Sequence, residues 1–142
     1  MAKVLRDTLV IQSRPGRIAD ARQWAAQQTR AAGFGEDAVF AVELALGEAL
    51  ANVVEHAYDG DEAQEIRLTL VVDGEKLCLT IRDYGRKFDQ ASYTPPDLDV
   101  PAEGGYGVYL MHELMDEVTY DSSPPEGTRL SLVKYRSGEV HG

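Results

Sequence analysis

Three short patches of the sequence carry residues that could do chemistry, and the first is a pair of polar residues four positions apart. Glu48 and Asn52 lie within a strongly periodic apolar segment. A four-residue step places both on one face of a helix. A carboxylate there could accept a proton, and an amide oxygen could bind Mg²⁺, which prefers oxygen ligands. The alternative is a solvated polar face that includes Glu55, and for this patch alone that alternative is the commoner case.

The second patch is an aspartate and a glycine at the end of a predicted strand. Asp83 and Gly85 follow an alternating apolar segment that ends at Ile81. A buried carboxylate there could accept a hydrogen bond from the exocyclic amine of adenine, and a glycine would let the backbone approach the base closely. The alternative is an ordinary Asp-Xaa-Gly turn, which is the commoner case for such a tripeptide.

The third patch is a glycine-rich stretch that leads into a predicted helix. Gly104, Gly105 and Gly107 come just before the apolar run that begins at Val108. Glycines before a helix expose unpaired N–H groups at the positive end of the helix dipole, where phosphate groups bind favourably. The stretch is not a P-loop, because no Gly-Lys-Ser/Thr follows it. It is not a dinucleotide-binding fingerprint either, because no strand precedes it.

The elements that must position these patches follow from the apolar periodicity. Apolar residues at three- and four-residue steps predict helices over 17–32, 36–57 and 107–114. Alternating patterns predict strands over 4–12, 66–72, 77–81, 117–121 and 128–135. The first strand is expected at an edge, and Asp73-Gly74 forms the turn of a hairpin. This order predicts an α+β, two-layer sandwich with helices on one face of a mostly antiparallel sheet.

Composition limits the classes of protein that fit. The length of 142 residues predicts one domain over 1–142. No apolar run is long enough to span a bilayer, the N-terminus lacks the apolar core of a signal peptide, and Cys78 is the one cysteine. We therefore expect a cytoplasmic protein that does not enter a membrane. The net charge of −10 disfavours direct binding of nucleic acid.

In their order and spacing, the three patches resemble the N, G1 and G2 boxes of the GHKL ATPase superfamily, which includes gyrase, MutL and the histidine kinases. The closer resemblance is to the anti-sigma factor serine kinases of bacteria. It is carried by the segments 48–58, 83–89 and 104–118, and by Gly127 and Thr128, which open the last strand. The resemblance covers nearly the whole chain and implies the GHKL, or Bergerat, ATP-binding fold.

The resemblance also implies a role for each matched residue. Glu48 would be the general base for an accepting serine, and Asn52 would bind Mg²⁺. Asp83 would read the adenine amine, with Gly85 beneath the base and the Thr128 hydroxyl nearby. The glycines of the third patch would hold the phosphates: Gly104, Gly105 and Gly107. Residues 92–104 would form a lid.

The function implied is an anti-sigma factor with serine kinase activity. It would bind a sigma factor and use Mg-ATP to phosphorylate an anti-anti-sigma (antagonist) protein of the STAS type on serine. A homodimer is also implied, and Arg22 on the first helix is a candidate for a partner contact. One alternative is an ATP-binding module of the same fold that sequesters a partner without kinase activity. Another is a histidine kinase catalytic domain, which is disfavoured because 142 residues leave no room for a dimerisation helix pair.

Overall fold

The computed structural model describes residues 4–86 and 106–136, and within them the chain forms a five-stranded antiparallel sheet. The strands lie in the order β1-β2-β3-β5-β4, so β1 is an edge strand, as predicted. Their bounds are β1 Val4–Gln12, β2 Glu65–Asp73, β3 Lys76–Asp83, β4 Glu117–Asp121 and β5 Thr128–Tyr135. The predicted hairpin joins β2 and β3, and its turn contains Gly74 at φ +62°.

Among the described residues, three α-helices accompany the sheet, close to their predicted positions. They are α1 Pro15–Ala31, α2 Glu36–Asn52 and α3 Tyr106–Leu114. Proline begins α1, where its missing N–H costs no hydrogen bond. The chain leaves α1 through Gly33 at φ +88°, a conformation that a glycine adopts without strain.

The core lies between the helices and one face of the sheet, as expected for a two-layer α+β sandwich. The apolar stripe predicted for the helix over 36–57 is buried along α2 and at the residue that follows it: Val39, Val42, Leu46, Ala49, Leu50 and Val53. It joins one hydrophobic cluster with the inward residues of β2 and β3, among them Leu68 and Leu79. Burying a leucine of this kind contributes about 1.5–3 kcal/mol, so α2 is the helix that anchors the layer.

The end of α2 corrects the predicted helix over 36–57. The α-helix ends at Asn52, and Val53–Ala57 forms a turn of π-helix. The Tyr58 N–H donates to the Val53 carbonyl over five residues, at 2.9 Å, which is the π register. Apolar periodicity does not distinguish the two kinds of turn. The wider turn carries the carbonyl groups of His56 and Ala57 to the end of β3.

No helix within the described residues has the length and apolar character that a membrane crossing requires.

Candidate active site

Glu48 and Asn52 lie on one face of α2, as their spacing predicts. Both are half-buried, whereas Glu55 is exposed. Within residues 4–86 and 106–136, neither the Glu48 carboxylate nor the Asn52 amide has a hydrogen bond or an ion pair. The polar atoms of both side chains reach solvent, since neither residue is among the buried groups that lack a hydrogen-bond partner. The pair is therefore available to a ligand.

Asp83 and Thr128 are brought together by strand register. They are paired residues of β3 and β5, and both are buried, at 5% and 3% exposure. One carboxylate oxygen of Asp83 accepts a hydrogen bond from the Gly85 N–H at 3.0 Å. At Gly127, φ is +71° and a Cβ would lie 2.0 Å from the Asp83 carbonyl oxygen. The backbone just before β5 thus lies against the end of β3, and the hydrogen bond from Gly85 orients the Asp83 carboxylate.

Gly85 meets the π-helical turn directly. A Cβ at this position would lie 2.2 Å from the Ala57 carbonyl oxygen, which no side chain can tolerate. The next residue, Arg86, donates its backbone N–H to the same carbonyl at 2.7 Å. Its guanidinium also donates to the His56 carbonyl, at 3.0 Å from Nη2. These contacts fasten the strand end that carries Asp83 to the end of the helix that carries Glu48 and Asn52.

Tyr58 completes this connection, and sequence reasoning gave it no role. Its hydroxyl donates to the Glu65 carbonyl at 2.6 Å and accepts from the Tyr84 N–H at 2.8 Å. Burial raises the pKa of the phenol, and the nearby Asp83 charge acts in the same direction. The tyrosine thus joins the start of β2 to the end of β3. A signal was present, since a tyrosine directly after a predicted helix and eight residues before a predicted strand can bridge the two.

The third patch is described only in part. Gly107 lies in the first turn of α3, which packs against α2. Gly104, Gly105 and the lid predicted over 92–104 lie outside the described residues. The structure therefore brings α3 to the same side of the sheet as Glu48 and Asp83, and the phosphate-binding role of the glycines stays a prediction.

A groove lies between α1 and α2. Its volume is about 380 Å³, and its lining includes Arg22, Arg30 and Glu43. The Arg22 guanidinium lies 3.8 Å from the Glu43 carboxylate. The side chain of Arg22 crosses α2 at Gly47, where a Cβ would lie 3.1 Å from the Arg22 Cδ. Arg22, which the sequence suggested as a partner contact, therefore reaches the residue that precedes Glu48.

The protein ligands available here fit a cation that is bound by one or two protein oxygens better than a cation that protein side chains surround. No group of three or more histidine, cysteine, aspartate or glutamate side chains within 4–86 and 106–136 could hold a metal ion. Asn52 offers one unpartnered amide oxygen. Mg²⁺ is often bound by one or two protein oxygens together with substrate phosphates and water, and this arrangement is compatible with that mode.

Comparison with known proteins supports the interpretation of these residues as part of an ATP-binding domain. Residues 11–134 match the family model of the histidine kinase-like ATPase domain. The chain is 34% identical over 115 residues to the serine-protein kinase RsbW of Bacillus velezensis, covering 75% of this chain and 71% of the relative. It is 31% identical over 138 residues to RsbW of Listeria monocytogenes, covering 90% and 85%. The anti-sigma F factor of Anoxybacillus flavithermus is 28% identical over 106 residues, or 70% of each chain.

A solved structure shares the fold. The RsbU and RsbW domains of a Mycobacterium tuberculosis protein superpose with a TM-score of 0.69 over 92% of this chain, at 15% identity. This chain spans about a third of that structure, 32%. The predicted α+β sandwich and the resemblance stated from the three patches are both confirmed. The chain belongs to the histidine kinase-like ATPase domain family, among the anti-sigma factor serine kinases.

Proposed function

We propose that this protein binds a sigma factor and transfers the γ-phosphoryl group of Mg-ATP to a serine of an anti-anti-sigma protein of the STAS type. The relatives support this proposal through their names, which are serine-protein kinase and anti-sigma factor. The observation that carries it is the half-buried pair of Glu48 and Asn52 on α2, which has no partner within residues 4–86 and 106–136. Contacts of Gly85 with Ala57 hold this helix against the strand end that bears Asp83.

In this proposal Asp83 selects the nucleotide. Its buried carboxylate accepts a hydrogen bond from the exocyclic amine of adenine, while the Thr128 hydroxyl lies on the neighbouring strand. Guanine presents a carbonyl oxygen at the corresponding position, which would leave the carboxylate facing another acceptor. A mismatch of this kind at a buried site costs about 1–3 kcal/mol. The first turn of α3, with Gly104, Gly105 and Gly107, binds the phosphates.

Glu48 is the general base. The serine hydroxyl gives its proton to the Glu48 carboxylate as its oxygen forms a bond to the γ-phosphorus, and the bond between that phosphorus and the β–γ bridging oxygen breaks to release ADP. Phosphoryl transfer depends chiefly on positioning and on charge neutralisation, so the base supplies a modest part of the acceleration. Asn52 would hold Mg²⁺, which neutralises phosphate charge when bound.

The groove beside Arg22 is the place at which the acceptor protein would contact this chain. Arg22, which lines the groove, also lies against Gly47, one residue before Glu48, so a protein seated there would contact the helix that carries the base. The exposed side chain of Phe40, at 57% exposure, lies on the same helix and adds an apolar contact. Arginine and aromatic side chains are enriched among the residues that dominate binding energy at interfaces.

A second candidate function is an ATP-binding module that sequesters its partner without transferring phosphate. The favouring observation is that the groove and the nucleotide site are formed by different residues, so sequestration does not require the chemistry. The deciding experiment incubates the protein with Mg²⁺, γ-labelled ATP and an anti-anti-sigma protein from the same organism. Label on an antagonist serine supports the kinase. ATP binding without any transfer would favour the sequestering module.

A further inference from the structure

Within the described part of the chain, one face of the sheet carries no helix, and this face holds a row of three arginines. Arg67 is the register partner of Arg82, and Arg82 is the register partner of Arg129, so the three side chains lie on adjacent strands of one face. Adjacent strands are about 4.8 Å apart. The row continues to Val10 on one side and to Asp121 on the other. It therefore crosses all five strands at one level.

This row is unfavourable for the fold alone. Like charges directly opposite each other on a sheet destabilise it. Arg82 stacks over the Tyr84 ring at 4.2 Å and donates a hydrogen bond to the Asp83 carbonyl, and Arg129 pairs with Asp121 at 3.2 Å. Arg67 is exposed and has no ion pair within 4–86 and 106–136. A chain with 24 acidic and 14 basic residues has nevertheless placed three of its arginines side by side.

The residues next to the arginine row have short, polar side chains. The adjacent level of the same face consists of hydroxyl residues on all five strands: Thr8, Thr69, Thr80, Ser131 and Thr119. Short side chains leave room for a backbone to lie close to the sheet. At the end of the arginine row, Val10 is 42% exposed and offers an apolar contact. This face thus combines a row of positive charges, an adjacent row of short hydroxyl side chains and one exposed apolar residue, Val10.

We propose that this face docks an acidic helix of a partner protein, lying across the strands along the arginine row. Side chains three or four residues apart on a helix are separated by about 4.5–6 Å along its axis, which matches the spacing of neighbouring strands. The side chains on one face of an extended strand repeat every 6.4–6.8 Å or so. This repeat is longer than the spacing of the arginines, so the side chains of a bound strand would no longer lie opposite the third arginine. The helix presents an apolar residue over Val10 and acidic residues over Arg67, Arg82 and Arg129.

The nucleotide site faces the other side of the sheet. Asp83 and Thr128 alternate with Arg82 and Arg129, so their side chains point toward the helices. A partner on the arginine face therefore does not compete with ATP. Nucleic acid is disfavoured as the occupant, because the net charge of −10 repels a phosphate backbone beyond the immediate contact.

The experiment uses the full chain and a synthetic 18-residue helix that carries leucine followed by glutamates at three- and four-residue steps along one face. Its control peptide has the same composition, with the glutamates distributed around the helix. Calorimetry should detect binding of the patterned peptide that weakens as salt increases, and at least tenfold weaker binding of the control peptide. Arg67→Glu should weaken binding of the patterned peptide at least tenfold, while Arg17→Glu, a matched charge reversal on α1, should not.

The stability, the ligand preference and the oligomeric state of the protein test the proposal further. Arg67→Glu should melt no lower than wild type, because it places opposite charges beside each other, and a lower melting temperature would show that Arg67 serves the fold. Equal binding by Arg67→Glu, or tighter binding of a duplex DNA oligonucleotide than of the patterned peptide, would overturn the proposal. Loss of a dimer in Arg67→Glu, seen by light scattering, would also overturn it, since a second copy would then be the occupant.

Discussion

Gly85 lies against the carbonyl group of Ala57 so closely that a Cβ at position 85 would sit 2.2 Å from its oxygen. This contact joins the end of β3, with Asp83, to the π-helical turn that follows Glu48 and Asn52 on α2. The two polar patches named from the sequence are therefore held in one rigid relationship, even though 31 positions separate Asn52 from Asp83.

Replacing Gly85 with alanine should separate these elements. The added methyl group must displace the π-helical turn, and overpacking of this kind costs about 1–3 kcal/mol in the free energy of unfolding. ATP affinity should fall as well. Gly16→Ala is the matched control, because a Cβ there meets nothing within 4 Å, so a neutral or slightly stabilising effect is expected. Urea unfolding and calorimetry measure both quantities, and a Gly85→Ala protein with wild-type stability would contradict the contact.

Tyr58→Phe should loosen the same region without adding bulk. The variant loses the hydroxyl that bonds the Glu65 carbonyl and the Tyr84 N–H, and each bond contributes about 0.5–1.5 kcal/mol. We expect a loss of about 1–3 kcal/mol in denaturant unfolding. If stability is unchanged, the hydroxyl does not join β2 to β3.

The phenol of Tyr58 also predicts a pH dependence. Burial raises its pKa, so the folded protein favours the neutral form. The stabilisation is fully present below the ordinary tyrosine pKa of about 10 and is lost as pH rises through the higher folded value. Wild type should therefore lose stability in this alkaline range, and Tyr58→Phe should lose less. Parallel alkaline losses in the two proteins would contradict this assignment.

Asp83→Asn tests the choice of nucleotide. Wild type should bind ATP more tightly than GTP, because the carboxylate accepts from the adenine amine. The amide changes the charge and the acceptor geometry, so binding of both ATP and ADP should weaken about tenfold, equivalent to about 1.4 kcal/mol. Calorimetry measures each affinity. Equal affinity of wild type for ATP and GTP would remove the adenine role of Asp83.

A homodimer is expected from the resemblance and from the position of β1. This strand pairs only with β2 and leaves its other edge open within the described residues, and open edges tend to find partners. Light scattering at micromolar concentration should give twice the mass of 15.6 kDa. A monomer with and without ATP would count against a two-fold contact through β1.

Much of the fold can be predicted from the spacing of apolar residues, because the residues that form the core must be apolar. The alternating residues of β2 and β3 and the stripe on α2 are the residues that the structure buries, so strands, helices and the hairpin were all predictable. The sequence could not predict that α2 changes to a π-helical turn at Val53. The π-helical turn contacts Gly85, which lies 32 residues further along the chain than Val53, and such a distant contact leaves no trace in local periodicity.

The candidate site was predictable as separate patches and not as an arrangement. Spacing placed Glu48 with Asn52, and the resemblance implied that the Thr128 hydroxyl lies near Asp83. The role of Tyr58 depends on where β2 begins and β3 ends in space, and the arginine row depends on strand register. Neither is visible in a linear pattern, because register is set by the pairing of whole strands.

The central claim is tested most directly by comparing Glu48→Ala with Asn52→Ala in one transfer assay, with ATP affinity measured alongside. Removing a general base costs about 10²–10⁴ in rate, so Glu48→Ala should bind ATP like wild type, retain sigma-factor binding and transfer label to the antagonist serine at least a hundredfold more slowly. Asn52→Ala should lose both nucleotide affinity and transfer. If Glu48→Ala instead transfers label as fast as wild type, Glu48 is not the base and the proposed chemistry is wrong.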